Sequence, residues 1–84
     1  LEARTKGLAA QWAPTIRVNG VAPGAALMPE SFTEQERQLR LDRTPMGIEP
    51  GAAPIAEAVE FLALGPEAIT GVVLPIDGGL GITW

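Results

Sequence analysis

The chain has 84 residues, a formal net charge of −4 and no histidine, cysteine or tyrosine, so it has room for one small domain. The absence of cysteine excludes disulfides and thiolate metal sites, and the 6 lysines and arginines form no cluster that would favour nucleic acid. No apolar stretch is long enough to span a membrane and no signal peptide is visible, which together predict a cytoplasmic protein.

The first segment, Leu1 to Trp12, is predicted to be a helix, because apolar residues recur near one face. Pro14 ends it, since proline cannot donate a backbone hydrogen bond. The helix begins at Leu1 with no N-cap ahead of it, and we interpret the chain as a piece of a longer protein. A hydrophobic content of 46% supports this interpretation, because a core of this size cannot bury so much apolar surface.

Two short apolar runs, Ile16 to Val21 and Gly71 to Ile76, are predicted to be strands. A helix lies between them, so the connection is a crossover and the strands are expected to be parallel, which makes the fold class α/β. Pro75 cannot donate to a neighbouring strand, and this predicts that the run Val72 to Ile76 lies at a sheet edge. Two strands with their helices cannot cover both faces of a parallel sheet, so further strands are expected from elsewhere.

The segment between the strands, residues 25–50, differs from the rest of the chain. Thr33 and Glu36 have capping-box spacing, which predicts a short helix from Glu34 to Asp42. A loop rich in proline and glycine follows. Pro54 suits the first position of a third helix, which Gly65-Pro66 ends.

Two polar residues admit more than one interpretation. Asn19 within the first strand is either catalytic or a buried amide that bonds neighbouring backbone, and we favour the second. Asp77 opens the turn Asp-Gly-Gly; one carboxylate is too few for a metal, so it is interpreted as a cap on nearby backbone.

Four pieces of the sequence, in this order, resemble the C-terminal third of a short-chain dehydrogenase/reductase: LAAQWAPTIRVNGVAPG, TPMG, IAEAVEFLA and ITGVVLPIDGG. The resemblance covers nearly the whole chain. It implies the C-terminal part of a Rossmann-type doubly wound parallel sheet, with the order helix, strand, lid helices, helix, edge strand. It also implies hydride transfer between NAD or NADP and a carbonyl, alcohol or C=N substrate, within a homodimer or homotetramer.

The resemblance also assigns site residues. Pro23, Gly24, Ala25 and Ala26 would contact the nicotinamide. Leu27, Met28 and Phe32 would contact a small-molecule substrate beneath the lid segment 25–50.

The catalytic Tyr, Lys and Ser of the family are absent from this chain and would precede Leu1, in the remaining N-terminal part of the same domain. Met28 stands where the common form of the family has a Thr, and in this the loop resembles the pteridine-reductase-like branches. A non-catalytic family-like binding protein is the alternative.

Overall fold

The computed structural model describes residues 1–23 and 28–82. Within these residues, three helices and two short strands follow one another: α1 (Glu2–Trp12), β1 (Gly20–Ala22), α2 (Glu34–Asp42), α3 (Ala52–Leu64) and β2 (Val73–Pro75), with a 3₁₀ turn at Leu80–Ile82. The helix predicted from the capping box has the predicted bounds. No helix in the described part of the chain is both long and apolar enough to cross a bilayer.

The two strands are parallel, as the sequence predicts, with Gly20 opposite Val73 and Ala22 opposite Pro75. Gly20 N donates to Val72 O at 2.8 Å and Ile76 N donates to Ala22 O at 2.9 Å. Alternate residues of a parallel strand face the same neighbour. The nitrogen of Pro75 therefore points away from β1, and the missing N–H costs this ladder nothing.

Both strands are shorter than predicted, because side chains take over part of the pairing at the amino-terminal end of the ladder. Val18 N donates to Thr70 Oγ1 at 3.1 Å, and Asn19 Oδ1 accepts from Val72 N at 3.0 Å. Gly71 N also donates to Val18 O at 2.8 Å, so Val18 and Asn19 are held against the second run by a mixture of backbone and side-chain hydrogen bonds.

Small buried side chains bring α1 close to the sheet. Thr5 and Ala9 are 5% and 4% exposed. A Cβ added to Gly20 would lie 3.6 Å from Thr5 Oγ1, and one added to Gly71 would lie 3.6 Å from Ala9 Cβ. Trp12 at the end of the same helix is 43% exposed, so much of its apolar surface remains uncovered.

The third helix packs on β1 through Leu62, which is 8% exposed. It begins at Ala52, two residues earlier than predicted, so Pro54 is its third residue rather than its first. Proline is tolerated there because backbone N–H groups in the first turn have no intrahelical partner. Phe61 and Leu64 are 53% and 79% exposed, which leaves a thin core.

Candidate functional site

The carboxyl ends of β1 and β2 lie at one edge of the sheet, because the strands are parallel. Pro23 directly follows β1 and is half-buried. In open α/β sheets this edge is where ligands bind. Pro23 therefore lies where the sequence predicts the start of a ligand site.

The segment after Pro23 carries the remaining predicted site residues. Gly24, Ala25, Ala26 and Leu27 lie outside the described residues. Met28 and Phe32 are both half-buried, and Phe32 N donates to Pro29 O at 3.1 Å in a turn ahead of α2. The structure thus places Met28 and Phe32 in one compact stretch between β1 and α2.

The second helix, α2, is held by polar contacts rather than by a core. Glu36 N donates to Thr33 Oγ1 at 3.1 Å and Thr33 N donates to Glu36 Oε1 at 3.0 Å, which confirms the capping box. None of its residues is buried. A part-buried ion pair between Arg37 and Glu49 joins it to the loop that leads into α3. A helix without buried side chains gains little from packing, so these contacts govern its position.

The loop that ends this segment packs against the turn that follows β2. Met46 N donates to Gly78 O at 2.9 Å. Thr44 is 4% exposed, and its Oγ1 donates to Arg40 O at 2.8 Å in the last turn of α2. Pro45 lies against Gly79. The segment that leaves the sheet at β1 therefore returns beside the end of β2, so both of its ends are at the carboxyl edge.

We call residues 77–81 the Asp77 turn. Asp77 Oδ1 accepts from Gly79 N at 2.9 Å and Oδ2 accepts from Gly81 N at 3.0 Å, which confirms that this carboxylate caps nearby backbone. Gly78 and Gly79 have φ of 63° and 93°, values that favour glycine. In residues 1–23 and 28–82, no group of three or more His, Cys, Asp or Glu side chains could hold a metal.

Asn19 and Arg17 lie at the opposite, amino-terminal end of the strands. Asn19 Nδ2 donates to Ile69 O at 3.0 Å, so its amide bridges two backbone groups as expected. Arg17 Nη1 donates to Leu62 O and Ile69 O at 2.9 and 3.0 Å, and Nη2 donates to Ala63 O at 3.0 Å. A cation on the last carbonyls of α3 is favourable for the helix dipole.

A cleft of about 520 Å³ is lined by residues in and before β1 and by residues of α3. It is bordered by Thr15 to Arg17, Asn19 to Val21, and by Val59, Leu62 and Ala63. Among the described residues, none of β2 or of the Asp77 turn borders it, so it is distinct from the carboxyl edge.

The chemistry available at the carboxyl edge is binding rather than proton transfer. The sequence has no Tyr, His or Cys. The carboxylate of Asp77 is engaged by the backbone of its own turn. Pro23, Met28 and Phe32 offer apolar surface and main-chain groups, which can hold and cover a flat ligand but cannot act as a general acid or base.

Two structural features of the site region were not predicted. The contact between Thr44-Pro45-Met46 and the Asp77 turn joins two stretches that the sequence shows only as a loop and a turn. The position of Arg17 on the end of α3 was also missed. The sequence held one signal for this contact, because Arg17 stands among the apolar residues of a predicted strand. A charge in such a place needs hydrogen-bond acceptors.

The parallel strands joined by a crossover helix place the chain in the class of α/β proteins, in which ligands bind at the carboxyl edge of the sheet. The family model for enoyl-(acyl carrier protein) reductase matches residues 1–81. The chain belongs to this family of short-chain dehydrogenases/reductases.

The curated relatives include a reductase and a dehydrogenase. Dihydromonapterin reductase of Klebsiella pneumoniae is 33% identical over 79 residues, which cover 94% of this chain and 32% of that protein. Galactitol 2-dehydrogenase (L-tagatose-forming) of Cereibacter sphaeroides is 42% identical over 82 residues, covering 89% and 32%. The chain therefore spans about a third of the length of these relatives.

The solved structures agree with the sequence relatives. FolM alternative dihydrofolate reductase 1 from Brucella canis, complexed with NADP, superposes with a TM-score of 0.87 at 29% identity. The match covers 99% of this chain and 33% of that structure. The likeness supports the expected C-terminal part of a Rossmann-type sheet.

Proposed function

We propose that the chain is part of an NAD(P)-dependent oxidoreductase that transfers a hydride between the nicotinamide and a small-molecule substrate. The observation that carries the proposal is the parallel pairing of β1 and β2. It brings Pro23 and both ends of the segment 28–47 to the edge at which α/β sheets bind ligands. The relatives named above are a reductase and a dehydrogenase, and they lend no support to a non-catalytic protein.

The described residues fit the nicotinamide end of the cofactor. Ala22, Pro23 and Met28 present no charge, which suits a flat nicotinamide ring, and Pro23 stiffens the backbone beside it. Arg17, the cation nearest to β1 in sequence, is bonded to α3 at the other end of the strand. The cofactor's phosphates would therefore be bound by other parts of the protein. When bound, the cofactor supplies or accepts the hydride.

The chain's own residues would bind and orient the cofactor and the substrate, and would exclude water from the site. Pro23 to Ala26 would hold the carboxamide through main-chain groups. Leu27, Met28 and Phe32 would contact the substrate, and the segment 25–50 would cover it. Covering the site strengthens polar interactions within it, because water is removed.

The proton chemistry is proposed to come from a Tyr, a Lys and a Ser that precede Leu1 in the full-length protein. The Tyr would donate the proton and the Lys would lower its pKa. With a carbonyl or alcohol substrate, the Ser would hold the substrate oxygen. We further propose a homodimer or homotetramer, supported by the exposed apolar surface of α1, and a cytoplasmic location.

The substrate class proposed is a reduced pteridine with a C=N bond. Met28 replaces the Thr of the common family form, and a thioether cannot donate the hydrogen bond of a hydroxyl. Relatives named as dihydromonapterin reductase and alternative dihydrofolate reductase support the same class. A sugar alcohol is the second candidate, because the galactitol dehydrogenase is 42% identical.

The test is to incubate the full-length protein with NADPH or NADH and either dihydrofolate or dihydromonapterin, and to follow the loss of reduced nicotinamide. Galactitol with NAD tests the second candidate. We expect NADPH-dependent reduction of a pteridine. Turnover of galactitol alone would reject the substrate class, and no turnover with any pair would reject the proposed function.

Side-chain variants then test the substrate contacts. Phe32→Ala and Met28→Ala should each raise the KM for the pteridine while leaving NADPH affinity unchanged. Leu39→Ala is the matched control, because Leu39 lies on α2 and is 58% exposed. Equal effects of all three substitutions would remove Met28 and Phe32 from the substrate site.

A further inference from the structure

We propose that Asp77 is a positioning residue for the substrate, acting through the turn on which the lid segment rests. The proposal rests on the proposed function, since it requires that residues 28–47 cover a substrate. Asp77 itself touches neither substrate nor cofactor in this scheme. It holds the backbone against which the covering segment docks.

The first step is the rigidity of the Asp77 turn. Both carboxylate oxygens are used, one by Gly79 N at 2.9 Å and the other by Gly81 N at 3.0 Å. Hydrogen bonds to an ionised acceptor are stronger than those between neutral groups. Together they hold Gly78 and Gly79 at positive φ, with Gly78 O available as an acceptor.

The second step is the contact made by Gly78. Its carbonyl oxygen accepts from Met46 N at 2.9 Å. The fit beside it is close, because a Cβ added to Gly78 would lie 2.7 Å from Thr44 Cγ2. Thr44 is 4% exposed, so its methyl group has little room to move away. The turn and the loop thus fit together only with glycine at position 78.

The third step connects this contact to the predicted substrate contacts. Thr44 Oγ1 donates to Arg40 O at 2.8 Å and Thr44 N donates to Leu41 O at 3.0 Å, so Thr44 is bonded to the last turn of α2. The N-cap of α2 is Thr33, directly after Phe32. With no buried residue of its own, α2 takes its position from Thr44 at its carboxyl end and from the Arg37–Glu49 ion pair. Loosening the Asp77 turn would therefore displace Phe32.

Asp77→Ala in the full-length protein tests the proposal. We expect faster hydrogen exchange at Met46 N–H and in α2, with α3 unchanged. We expect the KM for dihydrofolate to rise about tenfold, equivalent to about 1.4 kcal/mol, with kcat and NADPH affinity nearly unchanged. Asp77→Asn keeps one acceptor oxygen and should give a smaller rise. Glu67→Ala, at an exposed carboxylate, is the control.

A matched pair of glycine substitutions separates docking from backbone strain. Gly78 and Gly47 have φ of 63° and 64°, so alanine carries the same conformational penalty at both. A Cβ at Gly47 meets no atom within 4 Å. Gly78→Ala should therefore raise the KM more than Gly47→Ala. Thr44→Ser removes the clashing methyl group but keeps the hydroxyl. Added to Gly78→Ala it should lower the raised KM, whereas added to Gly47→Ala it should leave the KM unchanged.

The outcomes are distinct. Unchanged exchange at Met46 in Asp77→Ala, or faster exchange with an unchanged KM, would overturn the proposal. Failure of Thr44→Ser to rescue Gly78→Ala would do the same. If the wild-type protein oxidises NADPH with neither dihydrofolate nor dihydromonapterin, the proposed pteridine substrate is rejected instead. The exchange comparison would still decide whether Asp77 anchors α2.

Discussion

Arg17 Nη1 donates to Leu62 O at 2.9 Å, across 45 residues of sequence, and ties the chain before β1 to the end of α3. The same guanidinium also bonds Ala63 O and Ile69 O. One side chain therefore satisfies three carbonyl groups around the helix terminus and the connection to β2. The planar, multiply donating guanidinium suits this arrangement better than an ammonium.

Arg17→Met in the full-length protein should lower the free energy of unfolding by about 2 kcal/mol, less than the sum of three charged hydrogen bonds because the site is partly exposed. The free energy of unfolding of Arg17→Lys should lie between those of Arg17→Met and the wild type. Urea unfolding measures the change, with Arg4→Met on the exposed face of α1 as the control. If Arg17→Met lowers the free energy of unfolding no more than Arg4→Met does, water fully replaces the hydrogen bonds of Arg17.

Asn19→Leu should destabilise the protein by about 1–3 kcal/mol, because Val72 N–H and Ile69 C=O lose their partners. Asn19→Asp keeps the acceptor for Val72 N and should cost less. Neither variant should change kcat in protein that remains folded. Thermal unfolding and steady-state kinetics are measured together, with Gln11→Leu as an exposed amide control. A kcat that falls in folded Asn19→Asp would restore the catalytic interpretation of Asn19.

Thr33→Ala should destabilise α2 by about 1 kcal/mol, the usual cost of removing an N-cap hydroxyl. The effect should be local, because α2 has no buried residue to couple it to the core. Hydrogen exchange of the α2 amides should accelerate while the melting temperature stays nearly constant, and Thr33→Ser should behave as wild type. Ser31→Ala, at an exposed hydroxyl two residues earlier, is the control; an equal change there would assign the effect to the turn instead.

Gly24→Val should weaken cofactor binding far more than folding, because a branched side chain would occupy the space proposed for the nicotinamide ring. Gly24 lies outside the described residues, so this prediction depends on the sequence pattern and on the position of Pro23 at the end of β1. Cofactor affinity and melting temperature are measured on the same preparations. Gly7→Val is the control, since a Cβ at Gly7 meets no atom within 4 Å. Unchanged affinity in folded Gly24→Val would place the ring elsewhere.

Features that depend on neighbouring residues could be predicted from the sequence alone. The capping box of Thr33 and Glu36 joins residues three apart, and its spacing was enough to predict α2 with its correct bounds. The parallel pairing followed from two apolar runs joined by a helix, and Pro75 lies with its nitrogen on the outer side of the sheet. Asp77 bonds residues two and four positions ahead, so its capping role was also predictable.

Contacts between distant residues were decided by the tertiary structure. The strands are shorter than their apolar runs because the side chains of Asn19 and Thr70 take over part of the backbone pairing. The bond from Met46 to Gly78 and the position of Arg17 on α3 likewise join separate stretches of chain. Local spacing carries no information on such pairs, because only the closing of the crossover brings their donors and acceptors within hydrogen-bonding distance.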